Sequence, residues 1–287
     1  MSTAGPATSS EAVPVSKSAF DPRRVYTAVL LIPGLYVIIR YLPPIAFTLL
    51  AFMVGALALG EFYRLCFREG STRPLTAIGL VTMALWFASF HIGGLGVEYL
   101  FLGVILTLLL PLVSREQSGQ RLSNSAAMIF GVLYVGGAMT YLVRVRAYPS
   151  GEHLILFVLF VTWAADTGAY YVGKSFGRHP LAPRLSPKKT IEGLLGGLAL
   201  AIGAVFAARP WFPFSLTVLD SVLLGTILTA AGLAGDLAES AVKRAAGVKD
   251  SGGLLPGHGG MLDRVDSLLF TGPTFYYYVL LGGFSAP

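Results

Sequence analysis

Apolar runs long enough to cross a bilayer follow one another along nearly the whole chain, with short polar breaks between them. Few folds are compatible with that pattern. A membrane-crossing helix needs roughly 17–25 mostly apolar residues. Runs of about this length fall near Tyr26–Tyr41, Pro44–Tyr63, Pro74–His91, Val97–Val113, Ala126–Val143, Leu154–Val172, Ile191–Ala208, Leu216–Ala234 and Val265–Phe284. The first is the weakest, because Arg40 and Pro43-Pro44 crowd its end. The runs are continuous and do not alternate at period two, so they predict helices and not the strands of a barrel. Charged residues make up 13% of the 287 and apolar ones 54%. A soluble domain carries about 25% charge, so half the usual solvating charge is missing. This excludes an ordinary soluble enzyme, a disordered chain and a coiled coil. The lone Cys66 excludes an intrachain disulfide and argues against a Cys-based zinc site.

The expected fold is therefore all-α, a polytopic integral membrane protein of about nine transmembrane helices with short loops. Residues 1–22 are expected to form a disordered cytoplasmic tail, since the first 20 are rich in Ala, Ser, Thr and Pro. They hold no apolar run of the kind a signal peptide needs. Residues 23–287 are expected to form a single membrane-embedded domain, with the part from 160 to 270 carrying the site. The net charge of +6 reads as the bias of membrane loops, not as a nucleic-acid surface. With nine spans and the N-terminus inside, only Arg40, Arg144, Arg146 and Arg209 of the 21 Lys and Arg fall outside, leaving 17 inside. That asymmetry places the two longest loops, near 173–190 and 235–264, on the cytoplasmic side.

Those two loops hold the chemistry. In the second, Asp236, Glu239, Ser240 and Lys243 stand at i, i+3, i+4 and i+7, on one helical face. Lys243-Arg244 and Lys249-Asp250 follow, then a turn-rich stretch with five glycines, Pro256 and His258, and finally Asp263-Arg264-Val265-Asp266 at the head of the last apolar run. Carboxylates at the ends of apolar helices are costly unless they are paired or bind a cation. Oxygen ligands from one or two carboxylates suit Mg²⁺, which usually shares its shell with substrate phosphates. Glycines such as Gly259 and Gly260 leave backbone N–H groups free to approach an anion, and His258 can donate to a phosphate.

In the first loop, Asp166 lies within an apolar run and needs a partner. Lys174, Arg178, Arg184, Lys188 and Lys189 follow; they can anchor the loop on acidic lipid or contact phosphates. Ser186-Pro187 and Thr190 with Glu192 predict a turn and a helix start. Residues 168–175 satisfy the P-loop expression GxxxxGK[ST], but the intervening Ala-Tyr-Tyr-Val finishes an apolar helix whose backbone is already bonded internally, so no phosphate cradle is expected. Gly193 and Gly197 form a GxxxG that predicts close helix packing, within one subunit or between two.

Taken together, Ser240-Ala-Val-Lys243-Arg244, Lys249-Asp250 and Leu255-Pro256-Gly-His258-Gly259-Gly260-Met-Leu-Asp263-Arg264-Val-Asp266 resemble the signature of the phosphatidate cytidylyltransferases, or CDP-diacylglycerol synthases. The stretch Ser186-Pro187-Lys188-Lys189-Thr190 with Glu192-Gly193 is similar to the same family. The resemblance implies an integral membrane nucleotidyltransferase of phospholipid biosynthesis that makes CDP-diacylglycerol and pyrophosphate from CTP and phosphatidic acid. It also implies Mg²⁺, a second and monovalent cation beside it, and a homodimer in membrane lipid. The corresponding location is a bacterial cytoplasmic (inner) membrane, with the active site toward the cytoplasm. The family's metal ligands carry over to Asp236 and Asp263. Lys243 and Arg264 join them as catalytic residues. Arg244, Lys249, Asp250, His258, Gly259, Gly260, Asp266, Ser186, Lys188, Lys189 and Asp166 are then expected to bind substrate. Two rivals are a CTP-dependent lipid kinase of the polyprenol or phytol type, which would release CDP, and an ion-coupled transporter, against which the polar residues gather at one face and not at mid-depth.

Overall fold

In hydrocarbon a backbone must close its own hydrogen bonds, and each of the nine apolar runs is helical where it is described, except Leu216-Thr217, which precede their helix, and Gly282, which follows its own. The computed structural model describes residues 22–67, 73–92, 97–109, 118–252 and 259–282. The expected N-terminal tail therefore lies outside the described residues, apart from Pro22. The helices are α1 (Pro22–Tyr41), α2 (Pro44–Cys66), α3 (Arg73–Ile92), α4 (Val97–Leu109), α5 (Ser118–Gly131), α6 (Ala138–Ala147), α7 (Gly151–Phe176), α8 (Ile191–Ala208), α9 (Val218–Ala245) and α10 (Leu262–Leu281). A π-helical stretch, Val132–Gly137, joins α5 to α6 without a break.

Six helical segments among the described residues are long and apolar enough to cross a membrane: Pro44–Cys66, Arg73–Phe90, Leu122–Ala147, Gly151–Phe176, Ile191–Trp211 and Val218–Ala245. The chain is thus an all-α integral membrane protein, although fewer helices meet that criterion than the nine apolar runs. α10 falls short because Asp263, Arg264 and Asp266 occupy its first two turns and Tyr276–Tyr278 its later part.

The last four long helices pack antiparallel in sequence, α7 on α8, α8 on α9 and α9 on α10. Their contacts are backbone to backbone. A Cβ at Gly193 would stand 2.9 Å from the Ala169 carbonyl oxygen, and one at Gly197 would stand 2.8 Å from that of Ala165. The GxxxG therefore serves packing within the subunit. Residues 168–175 lie inside α7, in helix, as expected from the rejected P-loop match. On the other side, Gly235 of α9 rests on the Asp266 carbonyl oxygen. This antiparallel order brings the C-terminal ends of α7 and α9 and the N-terminal ends of α8 and α10 to one end of the bundle.

Between α7 and α8 the chain forms an antiparallel hairpin, β1 (Pro180–Ala182) and β2 (Ser186–Thr190), pairing Pro180 with Thr190 and Ala182 with Ser186. Ser186-Pro187, expected in a turn, thus begins a strand. Thr190 starts the next helix as expected: its Oγ1 accepts from Gly193 N at 3.1 Å, a side-chain cap on a free helical N–H. In the N-terminal half, α2 packs against α3, α5, α6 and α10, and its buried Tyr63 hydroxyl donates to the Met128 carbonyl at 2.9 Å. At the opposite end of the bundle Arg40 and Arg146 both lie 3.6 Å from Glu152.

Gly235→Ala is expected to destabilise the detergent-solubilised protein by about 1–3 kcal/mol, because the added methyl overpacks a backbone contact. Gly203→Ala, with nothing within 4 Å of its added Cβ, is expected to be neutral or stabilising by about 0.5–1 kcal/mol. Thermal unfolding of the two variants checks the contrast.

Candidate active site

Because the four helix ends converge, their polar residues share one cavity of about 630 Å³. Asp166 comes from α7, Asp236 from α9, and Asp263 and Asp266 from α10; Lys174, Lys188 and Lys189 complete the charged lining. The layering follows from position in the helices. Lys174 is in the last turn of α7 and Asp166 is eight residues earlier, about 12 Å deeper along the axis. Deeper along the same helices lie Thr162, one turn before Asp166 in α7, and Leu228 and Thr229, about two turns before Asp236 in α9. The rim is thus cationic, the middle acidic and the floor hydroxylic and apolar. Asp236 is close enough to Asp166 and Asp266 for their charges to repel. Only Lys189 makes a described ion pair inside this group, with its Nζ 2.5 Å from Asp236 Oδ2. Asp166 is not sealed in protein; it opens into the cavity.

Asp263 is held differently. Its Oδ2 accepts from the backbone N–H of Ser251 at 3.1 Å, the Ser251 hydroxyl at 2.9 Å and the backbone N–H of Gly260 at 2.9 Å. Its Oδ1 accepts from Lys243 Nζ at 2.6 Å, and the same ammonium donates to Glu239 Oε2 at 2.5 Å. Gly259, next to Gly260, has φ +78°, the left-handed conformation that side chains resist. The turn thereby aims the Gly260 N–H at the carboxylate.

The remaining residues singled out in the sequence are spread around this centre. Arg244 is exposed and ties the two loops together, with Nε donating to the Leu185 carbonyl at 3.3 Å and Nη1 to that of Val248 at 3.0 Å. Lys249, Asp250 and Arg264 are exposed at the same end, and Ser186 is half-buried at the start of β2. None of these five lines the cavity. His258 lies outside the described residues. Glu192 does not face the cavity; it accepts from the backbone N–H groups of Arg178 and His179 at 3.1 and 3.2 Å and pairs with His179 Nδ1 at 2.5 Å. It thus clamps the hairpin that carries Lys188 and Lys189.

Three acidic or hydroxyl groups were missed as site residues. Glu239 is 1% exposed and holds Lys243. Ser251 bonds Asp263. Glu61 comes from α2, in the half of the chain without motifs; it is 1% exposed, and its Oε2 accepts from the Ser251 hydroxyl at 3.1 Å and from Leu262 N at 2.9 Å. A lone acid inside an apolar run was the available signal for Glu61.

Among the described residues, no three His, Cys, Asp or Glu side chains form a ready metal cluster. The donor set is all oxygen and offers one or two carboxylates at a time, which is the way Mg²⁺ is bound when substrate phosphates complete its shell.

Adjoining the cavity is a second, almost wholly apolar groove of about 360 Å³ between α8 and α9. The two share Leu194, Thr229 and Leu233.

Comparison with known proteins agrees with this arrangement of motifs. The model of the cytidylyltransferase family matches residues 22–281. The chain is 34% identical over 253 residues to the phosphatidate cytidylyltransferase of Bacillus subtilis (strain 168), covering 85% of this chain and 91% of that one. It is 35% identical over 269 residues to the phosphatidate cytidylyltransferase of Pseudomonas aeruginosa, covering 92% and 99%. The match to the enzyme of that name from Staphylococcus aureus (strain COL) is 44% over 152 residues, 52% of this chain and 57% of the relative.

Glu192→Ala is expected to speed amide exchange at Arg178 and His179 several-fold, since both lose their acceptor, while α8 beyond its Thr190 cap is unchanged. Exchange measured by mass spectrometry on the purified protein checks this; unchanged protection would remove the clamp.

Proposed function

The chain belongs to the cytidylyltransferase family, and on that premise we propose that it transfers CMP from CTP to phosphatidic acid, giving CDP-diacylglycerol and pyrophosphate. The observation that carries the reading is the single cavity in which lysines and carboxylates from four helix ends meet, with an apolar groove sharing its wall. A nucleoside triphosphate needs the first and a diacylglycerol body the second. The family relatives named for this reaction support the same substrates.

In the transfer a phosphate oxygen of phosphatidic acid attacks the α-phosphorus of CTP. A new P–O bond forms, the α–β anhydride bond breaks, and pyrophosphate leaves with its electron pair. The attacking phosphate is already ionised near neutral pH, so no general base is required. Catalysis is then positioning and charge neutralisation. Lys188, Lys189 and Lys174 at the rim receive the phosphates, and Lys243, held by Glu239 and Asp263, adds charge from behind the carboxylate. Arg244, Lys249 and Arg264 extend that positive field at the same end, with Asp250 and Asp266 orienting it, and His258 is proposed from the motif to donate to a phosphate. Gly259 and Gly260 shape the turn that fixes Asp263.

Asp236 and Asp263 are the carboxylates we assign to Mg²⁺, with Asp166 and Asp266 completing the acidic wall on which a second, monovalent cation would also rest. Bound there, Mg²⁺ would neutralise charge on the triphosphate. The fit rests on the oxygen donors described above and on the donors to Asp263 Oδ2, which orient the ligand as outer-shell bonds do. The excess of Lys and Arg on the loops at this end supports a cytoplasmic active site in the inner membrane. A homodimer is carried over from the family resemblance alone.

Purified protein incubated with CTP, phosphatidic acid and Mg²⁺ is expected to release pyrophosphate and form CDP-diacylglycerol. Release of CDP would instead identify a lipid kinase, and ion flux in proteoliposomes without CTP a transporter. Asp263→Asn is expected to lower turnover on the order of 10²-fold or more with the protein still folded in membranes. Chelation of the divalent ion with EDTA is expected to abolish turnover, and added Mg²⁺ to restore it. Near-normal turnover of Asp263→Asn would remove Asp263 from the metal site.

A further inference from the structure

Among the described residues, Glu61 is the one carboxylate of the N-terminal half that reaches the site, and the contacts it makes have no counterpart in the motifs. Two donors lie within reach of its Oε2, the Leu262 backbone N–H at 2.9 Å and the Ser251 hydroxyl at 3.1 Å. Leu262 is the first residue of α10, where backbone N–H groups have no acceptor within the helix. No side chain of the local sequence caps that end. Glu61 therefore supplies, from 201 positions away in the chain, the negative group that a helix N-terminus favours. The Ser251 hydroxyl lies between two carboxylates, 3.1 Å from Glu61 Oε2 and 2.9 Å from Asp263 Oδ2, and its single proton is shared between them.

The space around this bridge is kept clear. A Cβ at Gly252 would come within 2.7 Å of Glu61 Oε1, and one at Gly260 would collide with both the Ser251 hydroxyl and Glu61 Oε2. Two residues of the glycine-rich loop are thus small because the carboxylate from α2 is there. Burial without a cation is costly for an acid, and no described ion pair serves Glu61. A side chain there to fill space would be better apolar.

We infer that Glu61 is a positioning residue for the transfer: through Ser251 and the Leu262 N–H it fixes the loop and the start of α10, so that Asp263 faces the cavity with Lys243 bound behind it. This rests on the functional reading above. Glu61 does not line the cavity and acts through Ser251, Leu262 and Asp263.

The test is a double-mutant cycle with Glu61→Ala, Ser251→Ala and the pair, together with Glu61→Gln, in the full-length detergent-solubilised protein. Kinetics with CTP are read beside thermal unfolding and amide exchange without nucleotide or metal. Each alanine variant is expected to lose about 10- to 100-fold in kcat/KM, the loss usual for a residue that orients a ligand, while keeping its folded fraction. The pair is expected to lose no more than the worse single variant, because both act along one route. Glu61→Gln keeps an acceptor for Leu262 N and a partner for Ser251, and is expected to recover activity to within a few-fold of wild type. Amide exchange at Gly260 and Leu262 is expected to rise in Glu61→Ala. If Glu61→Ala does not fold, Ser251→Ala decides, since it leaves the Leu262 acceptor in place. Wild-type kcat/KM in folded Glu61→Ala or Ser251→Ala, losses that multiply in the pair, or unchanged exchange at Gly260 and Leu262 would overturn the inference. A wild-type protein that makes no CDP-diacylglycerol would overturn the functional reading instead, and the exchange data would still judge the bridge.

Discussion

Everything at the functional end of this molecule depends on placing several carboxylates where water gives way to hydrocarbon. An acid there is stable only with a donor, a cation or an open path to solvent. The structure uses all three. Asp263 is surrounded by donors, Asp236 is paired with Lys189, and Asp166 opens into the cavity. Backbone contact makes the arrangement geometrically feasible, because helices with large side chains at their crossings would hold these acids apart. The contacts of Gly193 and Gly197 with α7, and of Gly235 with α10, bring the four helix ends together.

Charge is then layered by depth. Lysines on the hairpin and at the end of α7 form the rim, acids lie below them, and hydroxyl and apolar side chains close the floor. A highly charged headgroup and an acyl chain have opposite solvation needs, and the shared wall between the polar cavity and the apolar groove lets one ligand satisfy both. The chemistry proposed for the site needs little beyond this. Its nucleophile is already an anion, so the protein has only to bring two anions together and stabilise the leaving pyrophosphate.

Much of this was legible in the sequence. Continuous apolar runs mark the helices because a membrane tolerates no other open backbone, and the run of Asp236, Glu239, Ser240 and Lys243 declares its face by spacing alone. Thr190 announced the start of α8. The number of crossing helices was less secure, since α10 carries both charges and tyrosines and fails a purely apolar criterion. The hairpin was not legible at all: Ser186-Pro187 has the composition of a turn, and strand pairing with Pro180–Ala182 is a relation between segments. The same limit hid Glu61. Its meaning lies in Ser251 and Leu262, 190 and 201 positions away, and no local pattern encodes such a contact.

The central claim is that Asp236 and Asp263, from separate helices, serve one divalent ion that grips a nucleotide. Diffraction from crystals grown with Mn²⁺ in place of Mg²⁺ and with CTP, recorded at the manganese absorption edge, tests it most directly. The account predicts an anomalous peak inside the cavity, within bonding distance of both carboxylates and of a phosphate oxygen. A peak elsewhere, or nucleotide bound there with its phosphates turned away from both acids, would contradict it.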